Sequence, residues 1–78
     1  MKTHTPTHSI AVLGAAESGV GAAVLAVKKG LSVFVSDLGK IKDEYKAILD
    51  SHKIAWEEGS HDEARILSAD ELVKSPGI

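Results

Sequence analysis

The residues best placed to do chemistry lie between Val12 and Gly21, in the run VLGAAESGVG, where an apolar segment breaks into small residues and then into a helix-forming stretch. A dinucleotide fingerprint uses its first glycine for a tight turn, its second for close approach of backbone to pyrophosphate, and its third for packing of helix on strand. Gly14, Ala16 and Gly19 occupy those places, so the middle position carries a methyl group. Asp37 follows about 20 residues later, where the fingerprint expects an acid for a ribose hydroxyl. Ser18 offers a hydroxyl as helix N-cap or phosphate donor. Glu17 opposes an anion, because a carboxylate competes with phosphate for the positive end of a helix dipole. From these residues alone, a nucleotide site and a purely structural strand-to-helix turn both remain open.

Other candidates carry less. His4 and His8 fall in a polar N-terminal stretch, His52 closes a helical segment, and His61 follows a serine at a helix start, a surface setting. Asp43-Glu44, Glu57-Glu58 and Asp62-Glu63 read as solvated faces rather than acid-base pairs. Trp56 alternates with its neighbours on a short strand and reads as core. No serine has a histidine and an acid at motif spacing, and no metal-ligand spacing occurs.

The elements that must position the loop follow from periodicity and punctuation. Ser9 to Leu13 is an apolar run suited to a strand buried on both faces. Ser18 to Lys29 reads as a helix with cations in its last turn and Gly30 just beyond. Leu31 to Ser36 is β-branched and aromatic, a second strand ending at Asp37-Leu38-Gly39. Ile41 to His52 places Ile41, Tyr45, Ile48 and Leu49 on one helical face. Ile54 to Glu57 forms a third strand. Ser60 and Glu63 have capping-box spacing ahead of a helix from Asp62 to Ser68, and Glu71 to Lys74 is a fourth strand before the turn Ser75-Pro76-Gly77.

Strict β-α alternation with short connections predicts an α/β fold, a Rossmann-like three-layer domain with a parallel sheet in the order 3-2-1-4. Residues 1–8 read as a disordered lead-in and 9–78 as the folded unit. A chain that stops after its fourth strand leaves that strand as an open edge, which suggests a piece of a longer protein and some self-association.

Composition narrows the classes further. Seventy-eight residues make one small domain, able to bury only about 60% of its unfolded surface. Net charge is −2 with the basic residues scattered, which argues against nucleic acid as a partner. There is no cysteine, so disulfides and thiol chemistry are excluded and a reducing compartment fits. No apolar run is long enough to span a bilayer.

Three segments together carry a resemblance: VLGAAESGVGAAVLAVKKG, VFVSDLGK and EEGSHDEARILSADELVKSPGI. They resemble the N-terminal domain of the Mur ligases, and within that family its D-glutamate-adding branch. The ending is the more specific part, with Gly-x-His, then AD before the strand and SPGI after it. The resemblance implies a three-domain cytoplasmic, ATP-dependent enzyme of peptidoglycan synthesis, serving cell shape and division, that joins D-glutamate to UDP-N-acetylmuramoyl-L-alanine. Its N-terminal domain would bind the UDP part. Carried over by position, Ala15, Ala16, Glu17, Ser18 and Gly19 would lie against the diphosphate. Asp37, Leu38 and Gly39 would border the uridine, with Lys40 the nearest basic residue, and Gly77 would approach from the neighbouring strand. The ATP loop ending in Lys-Ser or Lys-Thr, the magnesium ligands and the glutamate site are not in these residues. ATP and magnesium would therefore belong to the central and C-terminal domains, and this part alone would bind no cofactor and catalyse nothing. An NAD-binding oxidoreductase domain and a ligand-free interaction domain are the alternatives, the first disfavoured by Ala16 and by SPGI.

Overall fold

The computed structural model describes residues 8–74. Strand β1 (Ser9–Leu13), helix α1 (Glu17–Lys28), β2 (Ser32–Asp37), α2 (Asp43–Ser51), β3 (Ala55–Glu58), α3 (Glu63–Leu67) and β4 (Glu71–Lys74) follow one another. The sheet is parallel throughout, in the order β3-β2-β1-β4. This is the Rossmann-like α/β arrangement that the alternation predicts. Residues 1–7 of the expected lead-in, and the SPGI turn with Gly77, lie outside the described residues. His8 stands at the head of β1, where its carbonyl accepts the Ser32 N–H at 3.0 Å.

The core divides into two unequal layers. Helices α1 and α2 cover one face, where Val12, Val35, Leu49, Ala23 and Ile54 are buried together. On the other face α3 places Ile66 over Ala11 and Phe34, and Arg65 lays its guanidinium 4.1 Å from the Phe34 ring centre. Alanine and valine suffice in α1 because a helix lying flat on a parallel sheet leaves little depth for long side chains. Burying each Val or Leu contributes about 1.5–3 kcal/mol, so the larger layer supplies most of the hydrophobic stabilisation.

Helix boundaries differ from the sequence expectation by one or two residues, for local reasons. At the end of α1, Gly30 takes φ +86°, its N–H meets Val27 O at 2.9 Å, and the Leu31 N–H returns to Ala26 O at 3.1 Å. That pair of bonds is a Schellman closure. The same closure ends α2, with Ile54 N–H to Leu49 O at 2.9 Å, but its left-handed residue is Lys53 at φ 58°. Ile41 reaches the core from the loop ahead of α2, 3% exposed. The capping box is not formed: Asp62, not Ser60, caps α3, accepting the Arg65 N–H at 3.2 Å. The Ser60 carbonyl lies 3.3 Å from the Ser36 hydroxyl.

Candidate functional site

Parallel α/β sheets bind ligands beyond the carboxyl ends of their strands, beside the point where strand order reverses. Here α1 and α2 lie on one face and α3 on the other, so the reversal falls between β1 and β4, at the end of Leu13. The glycine loop leaves the sheet there. Gly14 adopts φ +105°, a conformation only glycine takes without strain, and its N–H extends the ladder to Ser36 O at 2.8 Å.

The next residues divide their atoms between core and surface. Ala15 buries its methyl, 3% exposed, while its N–H is donated to Asp37 Oδ2 at 2.8 Å. Ala16 is extended and serves as N-cap of α1 without a side-chain hydrogen bond. Ser18 is therefore inside the first turn rather than at the cap. The first intrahelical bond runs from Val20 N–H to Ala16 O at 2.9 Å, so the amides of Glu17 and Gly19 precede the helical ladder. Ala16, Glu17 and Ser18 are exposed, and Gly19 is buried. Glu17 lines a groove between α1 and α2 with Val20, Glu44, Tyr45 and Ile48.

Asp37 does more than end β2. Its Oδ1 accepts the Gly39 N–H at 2.8 Å while Oδ2 holds Ala15. One carboxylate thus clasps the glycine loop to the 37–39 turn. Beyond it, Leu38 is 66% exposed and Gly39 is open to solvent. The turn is held from the other side by the Gly59 N–H, shared between Asp37 O at 2.8 Å and Gly39 O at 3.0 Å.

Two glutamates read from sequence as solvated are instead fasteners. Glu58 accepts the Ile41 N–H at 2.8 Å and the Lys46 ammonium at 3.1 Å, pinning the start of α2 to the end of β3. The Ile41 amide first, then Lys46, holds its carboxyl below the usual range. Glu57 Oε2 accepts the Ser36 hydroxyl at 2.7 Å and the Asp62 N–H at 2.6 Å. His61 Nδ1 meets the same Ser36 hydroxyl. Sequence spacing concealed this group because its members are 21 and 25 residues apart and converge only across two strand ends. It is not a nucleophilic triad: Ser36 is wholly buried and donates its proton to the carboxylate. Trp56 packs against the larger core as expected, with its Nε1–H donated to Asp50 at 2.8 Å and Lys46 Nζ 5.3 Å from the ring centre.

No helix among the described residues is long and apolar enough to cross a membrane. Among those residues no group of three or more His, Asp or Glu is placed to hold a metal ion, and the loop VLGAAESGVG contains no lysine for a nucleoside triphosphate.

Residues 10–78 match the family described as the MurD N-terminal domain. The chain is 70% identical over 69 residues to the UDP-N-acetylmuramoylalanine--D-glutamate ligase of Bacteroides fragilis, covering 88% of this chain and 16% of that protein. It is 62% identical over 71 residues to the ligase of the same name from Porphyromonas gingivalis, covering 91% and 16%. For the one from Chlorobium phaeobacteroides the figures are 45% over 69 residues, 88% and 15%. The chain thus spans about 16% of the length of the first two of these relatives.

Proposed function

The chain belongs to the MurD N-terminal domain family, and from that premise we propose that it binds the UDP moiety of UDP-N-acetylmuramoyl-L-alanine for a ligase of peptidoglycan synthesis that adds D-glutamate at the cost of ATP. The observation that carries the reading is the Asp37 clasp. It sets the N-terminus of α1 and the exposed 37–39 turn side by side at the carboxyl ends of β1 and β2.

An anion at a helix N-terminus meets both free amide donors and the positive end of the dipole. The diphosphate lies against residues 16–19, with the Glu17 and Gly19 amides and the Ser18 hydroxyl as donors. Ala15 contributes no amide, because Asp37 already takes it. Ala16 keeps the phosphate one methyl farther from the backbone than a dinucleotide loop would. The uridine rests on the turn, with exposed Leu38 as apolar contact and the Gly39 backbone at its edge. A carboxylate has about four acceptor positions, so Asp37 retains capacity for a ribose hydroxyl after holding two amides. Gly77, in the SPGI run that follows β4 in sequence, is the remaining UDP contact of the proposal. ATP, magnesium and D-glutamate are handled by the central and C-terminal domains in the cytoplasm, and this chain alone performs no ligation.

Titration of the isotope-labelled chain with UDP tests the reading. Amide signals of Glu17, Ser18, Gly19, Leu38 and Gly39 shift at millimolar UDP, and NAD competes poorly. Unmoved signals at those five positions refute UDP binding, and stronger binding of NAD transfers the domain to oxidoreductase chemistry.

A further inference from the structure

The buried group behind the turn has one self-consistent proton arrangement. Three polar partners converge on the Ser36 hydroxyl: Glu57 Oε2 at 2.7 Å, the Ser60 carbonyl at 3.3 Å, and His61 Nδ1. A hydroxyl has one proton to give and two lone pairs to receive with. The carbonyl can only accept, and so can an ionised carboxylate, which already takes the Asp62 N–H on the same oxygen. The single Ser36 proton therefore goes to Glu57, the nearer acceptor, and His61 Nδ1 must be the donor. Its partner is a serine with no exposed surface while the imidazole is in place.

We propose that His61, carrying its proton on Nδ1, is a positioning residue for the nucleotide-binding turn: through Ser36 and Glu57 it fastens residues 59–62 to the end of β2. From that fastened segment the Gly59 N–H holds Asp37 O and Gly39 O, the backbone on which the uridine contact depends. The proposal rests on the UDP reading above. His61 touches no ligand in this account. The rest of its ring lines a largely apolar cleft with Leu13, Glu63, Ile66 and Leu67.

Two measurements decide it. Nitrogen-15 spectra of the imidazole in the unaltered chain, at mildly alkaline pH, are expected to show Nδ1 protonated and Nε2 bare; the opposite tautomer overturns the proposal whatever UDP does. UDP affinity is then compared in His61→Asn, whose amide nitrogen takes the place of Nδ1, and His61→Gln, whose amide reaches the Nε2 place instead. His61→Asn is expected to bind within about twofold of the unaltered chain, and His61→Gln about three- to tenfold more weakly, the range for one hydrogen bond. Equal affinity in both variants overturns the positioning role while leaving the UDP reading intact. Absence of UDP binding in the unaltered chain overturns that reading and this proposal with it. Where a variant fails to fold, the tautomer of the unaltered chain decides.

Discussion

Replacing Asp37 by alanine tests the clasp directly. Its carboxylate holds the Ala15 and Gly39 amides, each at 2.8 Å. A hydrogen bond to a charged acceptor contributes about 1.5–3 kcal/mol where it is shielded, and leaving a buried donor unpaired costs a similar amount. Ala15 is buried and should feel the full effect; Gly39 is exposed, so water replaces much of what it loses. The loss should total about 2–4 kcal/mol. A chain of this length has about 4–12 kcal/mol in all, so the change consumes a large share. Urea titration followed by the fluorescence of Trp56, the single tryptophan, measures it. With a slope of about 1 kcal/mol per molar urea, the midpoint should fall by about 2–4 M, or the variant should be unfolded from the start. Asp37→Asn should lie between, because one amide oxygen can still accept while the NH2 faces a donor. An alanine variant within about 0.5 kcal/mol of the parent would refute the clasp.

Glu17→Gln should tighten UDP binding by about two- to fivefold at low salt, an advantage that shrinks as salt is added, since it removes a charge at the helix terminus; unchanged or weaker binding would show that Glu17 does not face the anion's field. The depressed Glu58 carboxyl, held down by the Ile41 amide and then by Lys46, contributes stability that is present above its unfolded value and lost as pH falls through the folded one. Urea midpoints should therefore decline below the ordinary carboxylate range, and less steeply in Glu58→Gln. Lys53→Gly should raise stability by about 0.5–1 kcal/mol by relieving φ 58° at the end of α2, read from the thermal midpoint. Among the described residues β4 pairs only with β1 and leaves Leu72 51% exposed, so elution on gel filtration should depend on concentration, and Leu72→Lys should suppress that dependence.

The order of elements and the sheet order were legible because each rests on local chemistry. Apolar runs of strand length, alanine-rich helix, Lys28 and Gly30 at its end, and short connections together allow few topologies. The family was legible from the ending GSHDEARILSADELVKSPGI. Helix starts were less so. Ser60 and Glu63 had the spacing of a capping box, yet Asp62, whose N–H is held by Glu57, caps α3 with its own side chain.

The site separates the two kinds of information most clearly. Sequence by itself determined that Gly14 turns the chain and that Asp37 stands where β2 ends. Only the tertiary structure decided what Asp37 holds, since its bond to Ala15 crosses 22 residues. It alone brought Ser36, Glu57 and His61 together, and turned Glu57 and Glu58 from surface charges into fasteners. The reason is register. Parallel strands align residues 20 or more apart, and a shift of one residue would point Ser36 to the opposite face of the sheet. Local spacing reads what one element does; the partners of a buried polar side chain are set by which strand end lies beside it.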